Sequence, residues 1–369
     1  PVVTFLAAAL MTTFACAGVE EIFTVTNVSV DVTAQTAARA RSMAVAGGQR
    51  EALAQLFARL TLREDAGRLP VLDDPSIANL VAGLEFANEK SSSRRYIADL
   101  TVRFDPDRIR NLLRVTGIPF SATPAKPVLV LPVYEAGGLT TLWDDTNPWR
   151  DAWRRHSTIQ SLLPLILPRG DLQEIGMISA RDVVSGNRRR LSAIASRYGV
   201  AEILIAHAKL DFAPGGRKPV VTVETTRLGT AGERTATEIF AGEDSDSHTL
   251  LESAADALAS ALEEEWKLQT LIEFGAEITL EATVPLSGLQ HWLEVRRRLA
   301  QIASIRRIEL LSISIDEARV VLHYLGNPGQ LMIALAQSDV DLVEKGETFS
   351  IVLAPSSADR TELGEGTDD

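Results

Sequence analysis

The stretch VLVLPVY, residues 128–134, is a nearly continuous apolar run in the middle of the chain. Strands covered on both faces have such a composition, whereas half-exposed strands alternate apolar and polar residues. The run therefore predicts a buried central strand. Downstream, Asn187 can cap a helix that Gly199 ends, and residues 202–212 (EILIAHAKLDF) predict a further strand. This mixture of strands and helices indicates a central mixed α/β domain, which we place at residues 127–270.

The sequence that precedes this run predicts a separate N-terminal α+β domain at residues 19–117. Residues 22–32 (IFTVTNVSVDV) alternate as in a strand, and residues 33–60 continue with helical periodicity. A hairpin and a second, short helix are predicted next, so the order is strand, helix, hairpin, helix. Residues 118–127 (IPFSATPAKP) are rich in proline and predict a linker to the central domain.

The sequence after the central strands predicts a long helix and a third domain. Thr249 and Glu252 are spaced as in a capping box, which predicts that the long helix begins there. Residues 273–353 then follow the strand and helix order of a C-terminal ferredoxin-like βαββαβ domain, with its second helix at residues 328–337. Residues 355–369 contain five acids and one arginine and predict a disordered acidic tail. The fold class predicted for the chain is α+β.

Residues 1–17 form an apolar run without charge, which predicts the core of an export signal peptide. Ala15-Cys16-Ala17 has the small-x-small pattern of a signal-peptidase site, so we expect a mature periplasmic chain that begins near Gly18. Cys16 is the only cysteine of the sequence. It leaves open the alternative of an outer-membrane lipoprotein anchored through that residue.

Composition and motifs limit the chemistry that the chain can perform. A formal net charge of −12 opposes nucleic-acid binding, because phosphates are repelled at long range. The five histidines stand far apart in the sequence, and it contains no serine-hydrolase elbow, phosphate loop or dinucleotide motif. We therefore expect a protein without enzymatic activity, cofactor or metal. An enzyme whose residues converge only in three dimensions stays open as an alternative.

The stretch LWDDTNPWRDAW, residues 142–153, contains three of the five tryptophans, Trp143, Trp149 and Trp153. The Asn-Pro pair inside it favours a helix start, so Trp149 and Trp153 fall four residues apart on one helical face. Indoles supply a large core area when buried, and the first interpretation is a structural corner between a strand and a helix. Exposed indoles would instead bind a sugar ring, which makes a carbohydrate- or peptidoglycan-binding protein the alternative.

Arg296, Arg297 and Arg298 form a basic cluster in the first helix of the third domain. Such a cluster can hold an anionic headgroup or anchor a protein partner. The other face of this helix is apolar, which favours a solvated helix face as the simpler interpretation. These three arginines and the three tryptophans are the candidate binding residues of the sequence.

Several motifs resemble those of a bacterial family called domain of unknown function 2066. They are PVLVLPVY (127–134), NPWRDAW (147–153), LPRGDL (167–172) and LSAIASRYGVAEILIAHAKL (191–210). The resemblance implies an exported protein of the bacterial envelope and supplies no catalytic residues. The segment TAARARSMAVAGGQREAL (36–53) is similar to the N-terminal domain of the flagellar assembly protein T group, which implies an interaction module.

Together these patterns predict an exported cell-envelope protein that acts as an interaction or assembly factor. The expected partner is another envelope protein, and cell-wall glycan is the ligand of the carbohydrate-binding alternative. We expect no transmembrane helix in the mature chain, because the apolar run of residues 1–17 is too short to span a bilayer comfortably and belongs to the signal peptide.

Overall fold

The computed structural model describes residues 19–144, 147–155, 160–213, 218–229, 232–242, 246–272, 277–345 and 348–354. The predicted signal peptide and the predicted acidic tail lie outside the described residues. Three sheets with helices packed on them make up the described part of the chain, which confirms the predicted α+β class. No helix within these ranges is long and apolar enough to cross a membrane.

The N-terminal region forms a three-stranded antiparallel sheet that one long helix crosses. Its elements are α1 (Val19–Ile22), β1 (Thr24–Thr33), α2 (Ala37–Leu60), a 3-10 helix (Arg63–Arg68), α3 (Asp74–Leu80), β2 (Val81–Ser91), β3 (Arg95–Phe104) and α4 (Pro106–Val115). The sheet order is β1-β3-β2. A Cβ atom at Gly48 of α2 would lie 2.3 Å from Leu100 Cδ1, so glycine lets the helix approach the sheet closely. The predicted strand, helix, hairpin and helix are present, with α3 in addition.

Residues 118–127, which the sequence predicts as a linker, are packed against the rest of the protein. Ile118, Phe120 and Ala122 are buried. Phe120 and Ile272 exchange two backbone hydrogen bonds, with Phe120 N to Ile272 O at 3.4 Å and Ile272 N to Phe120 O at 2.7 Å. The linker prediction was wrong because the apolar side chains between the prolines are buried, and the prolines only keep this segment extended.

The central region is a mixed sheet with helices on both faces. Its elements are β4 (Val128–Ala136), β5 (Leu139–Thr141), α5 (Pro148–Arg155), β6 (Leu165–Ile166), α6 (Leu172–Met177), α7 (Ala180–Val184), α8 (Arg188–Tyr198), β7 (Glu202–Phe212), β8 (Pro219–Gly229), β9 (Gly232–Ala241) and α9 (Ser247–Gln269). The strand order is β5-β4-β7-β8-β9, with β6 beside β4. β4 and β7 are parallel, whereas β7, β8 and β9 are antiparallel. Helices α7 and α8 cover one face of β4 and α5 and α9 cover the other, so the apolar run is buried as predicted.

Helix α9 begins at Ser247, before the predicted start at Thr249. The Asp246 carboxylate accepts hydrogen bonds from His248 N at 2.9 Å and from the Thr249 hydroxyl at 2.5 Å. The capping-box prediction was wrong because Asp246 already satisfies the donors of the first turn, and Thr249 lies inside the helix.

The N-terminal and central regions share one hydrophobic core. Lys267 of α9 is buried, and its ammonium group donates to Ala58 O at 3.0 Å and to Thr61 O at 2.9 Å. These carbonyls form the C-terminal end of α2, where a positive charge is favourable. Trp266 Nε1 donates to Thr123 O at 2.8 Å in the same contact. The packing is therefore continuous across the position where the sequence predicts the first domain boundary.

The C-terminal region contains one strand more than the predicted βαββαβ order. Its elements are β10 (Ile278–Pro285), α10 (Leu289–Ala300), β11 (Ile305–Ile313), β12 (Glu317–Tyr324), α11 (Pro328–Gln337), β13 (Val340–Lys345) and β14 (Thr348–Leu353). The strand order is β11-β12-β10-β14-β13, and β14 pairs in parallel with β10. A ferredoxin-like domain has one strand after its second helix, and here a hairpin of two strands takes that place. The ferredoxin-like prediction was therefore wrong in the number of strands after α11, which is two and not one.

Candidate binding surface

The tryptophan-rich stretch forms a buried corner between β4 and α5. Trp149 and Trp153 are both 0% exposed, and their rings meet edge to face with centroids 5.6 Å apart. Trp149 Nε1 donates to Ala206 O of β7 at 2.9 Å. Since both indoles are enclosed by the core, Trp149 and Trp153 are removed from the set of candidate binding residues.

Trp143, the third tryptophan, is half-buried at the rim of this corner. Its Nε1 donates to Ile178 O at 2.7 Å, and the Arg150 guanidinium lies 5.8 Å from the centroid of its ring. Asn147 holds the start of α5, because its side chain accepts from Arg150 N at 2.9 Å and donates to Pro132 O at 3.2 Å. The indole of Trp143 is thus engaged on its edge and on a face, and the stretch does not present a row of exposed rings.

A polar cluster around Glu174 closes the outside of the corner. The Glu174 side chain is fully buried and accepts from Gly170 N at 2.6 Å and from the Tyr198 hydroxyl at 2.5 Å. Arg197 forms an ion pair with it at 3.2 Å. Burial and then the hydrogen bond to Glu174 raise the pKa of Tyr198 to about 12. Gly170 has a φ of +76° beside the Arg150 guanidinium, so the turn requires glycine.

The structure divides the arginine cluster of α10. Arg297 and Arg298 both bind Glu294, with Arg297 Nη2 and Arg298 Nε each 2.7 Å from Glu294 Oε1. These hydrogen bonds, that from Arg297 first, lower the pKa of Glu294 to about 2. Arg298 also donates to Asp339 O at 3.0 Å, which ties it to the body of the C-terminal region. Arg298 is therefore structural, while the exposed Arg296 and Arg297 can meet a partner.

Two leucines extend these arginines into a surface that we call the α10 stripe, consisting of Leu289, Leu293, Arg296 and Arg297. Leu289 is 65% exposed and Leu293 is 45% exposed. The spacing of Leu289, Leu293 and Arg296 places them on one side of the helix. The buried side of the helix packs into the C-terminal core. The stripe therefore combines apolar and arginine side chains, the residue types that anchor protein interfaces.

The edge strand β11, which α10 contacts, adds further apolar surface. Leu310 is 44% exposed, Leu311 is 49% exposed and Ile313 is 48% exposed. Ile315, in the turn that follows, is 83% exposed. Sequence analysis missed this surface because an apolar strand has the same composition whether or not another layer covers it. The run LLSISI (310–315) at the end of the strand was the available signal.

Among the histidines that lie beside carboxylates, two have mostly buried side chains, the arrangement that the enzyme alternative requires. His323 Nδ1 is 2.7 Å from Glu277 Oε1, and His207 Nε2 is 3.2 Å from Glu135 Oε2. Within the described ranges, no group of three or more His, Cys, Asp or Glu has the geometry to hold a metal ion. An open groove of about 420 Å³ between α3 and α4 is lined by Leu80, Leu112 and neighbouring residues and includes neither histidine.

Comparisons with known proteins supply a partial family match. A family model described as a domain of unknown function (DUF8605) matches residues 23–122. This match agrees with a domain of unassigned function, but the model differs from domain of unknown function 2066 and from the flagellar assembly protein T group. No curated protein matches the chain.

Among solved structures, two crystal forms of the PelC dodecamer from Paraburkholderia phytofirmans are similar to parts of the chain. The first is 12% identical with a TM-score of 0.25 and covers 38% of this chain and 90% of PelC. The second is 14% identical with a TM-score of 0.23 and covers 38% and 88% of the two chains. TM-scores of this size carry no inference about this chain.

Proposed function

We propose that this chain is an exported factor of the bacterial envelope that acts by binding a protein partner through the α10 stripe and β11. The observation that carries the proposal is that exposed leucines and arginines share one side of α10 and continue onto the adjacent edge strand. Burying one such side chain stabilises a complex by roughly 1.5–3 kcal/mol before the costs of association, so a few anchors are sufficient.

The chemistry of the stripe defines the partner. Arg296 and Arg297 stand beside Leu289 and Leu293, so the complementary surface is apolar with acidic residues at its rim. The chain as a whole is acidic, with a net charge of −12, and like charges oppose each other at long range. The arginines of the stripe therefore select the orientation of the partner more than they strengthen its attraction to the whole protein.

Export is supported by the sequence of residues 1–17, which lie outside the described residues. The resemblance to domain of unknown function 2066 and to the flagellar assembly protein T group points in the same direction, toward an envelope interaction module. Cell fractionation combined with N-terminal sequencing tests export. A periplasmic form that begins near Gly18 is expected, and a cytoplasmic form that keeps residues 1–17 overturns this part of the proposal.

Site-specific photo-crosslinking in living cells tests the binding surface. A benzophenone amino acid placed at Leu293 or at Leu310 should give one discrete adduct, which mass spectrometry then identifies. The matched control is Glu281, whose side chain is 55% exposed on the uncovered face of the same sheet. Equal adducts from Glu281 and Leu293, or none from Leu293 and Leu310, would contradict the proposal.

A double substitution, Leu289→Ser with Leu293→Ser, sharpens the crosslinking test. It should remove the adduct formed from Leu310 while the protein stays folded and at normal abundance. Met43→Ser is the control, since Met43 is 50% exposed on α2, far along the chain from the stripe. An adduct that persists in the double variant would show that the leucines are not anchors.

A further inference from the structure

Strand β9 is a long, unprotected edge of the central sheet. It pairs with β8 on one side and has no neighbouring strand on the other among the described residues. Its ten residues, GERTATEIFA, keep an uninterrupted register with β8, and only Phe240 is partly buried. An exposed, regular edge presents a row of unpaired N–H and C=O groups, to which another strand can be added.

The other sheet edges of the described chain are shorter, irregular or already hydrogen-bonded. At β1, the Gln160 side chain accepts from Thr26 N and donates to Thr26 O, both at 3.2 Å, in the manner of a paired strand. β2 and β11 each carry register shifts, which interrupt a regular ladder of hydrogen bonds. β5 and β6 are only three and two residues long, and β13 has six. β9 is longer than β5, β6 and β13 and lacks the register shifts and the side-chain bonding of the other edges.

The hydrogen-bond pattern of β9 defines which residues face the open edge. Gly242 N donates to Pro219 O at 3.0 Å, which continues the ladder of β9 with β8. In an antiparallel pair every second residue bonds to its partner, so the even-numbered residues of β9 bond to β8. The backbone N–H and C=O groups of Glu233, Thr235 and Thr237 therefore point outward.

We propose that β9 pairs antiparallel with β9 of a second copy of this chain, with Ala236 opposite Ala236. In this register Arg234 of each copy lies opposite Glu238 of the other, and Thr235 lies opposite Thr237. Opposite charges and threonine pairs in these positions stabilise a strand pair. The five-strand path of each copy then continues into that of the second copy as one sheet.

The neighbouring registers do not match the charges. With Thr235 opposite Thr235, Arg234 lies opposite Ala236. With Thr237 opposite Thr237, Arg234 lies opposite Phe240. On the face of β9 that carries Ala236, the charged residues are Arg234, which also contacts Glu265 of its own copy at 3.2 Å, and Glu238. Pairing both of them about one central residue makes this face self-complementary, as a two-fold symmetric interface requires. This interface goes beyond the proposed function and does not depend on it, because the α10 stripe and β11 belong to the C-terminal region and β9 to the central sheet.

Disulfide formation tests the register of the strand pair directly. The full chain is used with Cys16→Ser, so that the introduced cysteine is the only thiol. Ala236→Cys should give a disulfide-linked dimer on mild oxidation, because directly opposite residues of this kind have Cα atoms about 4.5 Å apart, within disulfide range. Glu238→Cys is the matched control. Its two copies are displaced by four residues, roughly 13 Å, and should remain monomeric on the same gel.

Charge exchange tests the same pairing without cysteine. Arg234→Glu and Glu238→Arg should each weaken the dimer at least fivefold in sedimentation equilibrium, and the double variant should regain it. Glu233→Gln, on the other face of β9, should leave the dimer unchanged. Circular dichroism confirms that each variant is folded. A monomeric parent chain, or equal crosslinking from Ala236→Cys and Glu238→Cys, would overturn the proposal.

Discussion

The tryptophan corner and the α10 stripe are built from similar local sequences and end in opposite environments. Helix α5 carries Trp149 and Trp153 four residues apart, and α10 carries Leu289 and Leu293 with the same spacing. The tryptophans are 0% exposed because α5 packs against both β4 and α9. Only one side of α10 is covered. Whether an apolar pair is core or surface therefore depends on a second layer that the helix does not encode.

Truncating the corner should have the largest effect on stability. Trp149→Ala removes a fully buried indole and its hydrogen bond to Ala206 O. We expect the free energy of unfolding to fall by about 3–5 kcal/mol, as large-to-small core substitutions do. Urea denaturation measures the change. A loss below about 1 kcal/mol would mean that the corner is not the anchor inferred from its burial.

The polar cluster around Glu174 should contribute less to stability than the buried tryptophans of the corner. Glu174→Gln leaves one acceptor oxygen for three donors, from Gly170, Arg197 and Tyr198. A fall of about 2 kcal/mol in the free energy of unfolding is expected, since hydrogen bonds to charged groups contribute that much. Asp171→Asn is the matched control: asparagine still caps α6, and Asp171 is half exposed, so a smaller loss is expected. Equal losses would show that burial of Glu174 is not the cause.

The ion pairs that Glu294 forms with Arg297 and Arg298 should make a small, pH-dependent contribution to stability. The folded-state pKa of Glu294 is about 2, below its ordinary value of 4.5. A lowered pKa contributes stability that is present above pH 4.5 and is lost as the pH falls toward 2. We expect no more than about 1 kcal/mol, because the pair is partly exposed to solvent. Glu294→Gln should flatten the stability curve across this window, and an unchanged pH dependence would refute the assignment.

The apolar end of the stripe should have the smallest effect. Leu289→Ser with Leu293→Ser should change the free energy of unfolding by no more than about 0.5 kcal/mol each, as for ordinary surface positions. Urea denaturation measures this change under the same conditions as that of Trp149→Ala. A loss approaching that of Trp149→Ala would place the leucines in the core and remove the proposed binding surface.

Several elements of the fold were predictable because their signals are local. β7 spans Glu202–Phe212 and α11 spans Pro328–Gln337, in both cases the predicted ranges. Asn327 and Pro328 define the start of α11 through a cap and a first-turn proline, and Gly199 ends α8 in the left-handed region. Such signals depend only on the residues next to them.

The features that were missed depend on residues distant in sequence. Residues 118–127 look like a linker until Phe120 is placed against Ile272, 152 positions further along the chain. The strand β14 was not separated from β13 because two short apolar segments read as one. The burial of Trp149 and Trp153 agrees with the structural corner that the sequence favoured, whereas the exposure of Leu289 and Leu293 was not predicted. Spacing places Trp149 and Leu289 on helix faces but cannot say which face another element will cover.

The backbone bridge between Phe120 and Ile272 also has a topological consequence. It joins the segments that precede and follow the central region, so the chain enters and leaves that region at one place. Close ends of this kind are what make circular permutation and insertion tolerable. The central region shares its core with the N-terminal region, but its own two ends meet, so new termini between β8 and β9 should leave the central sheet intact.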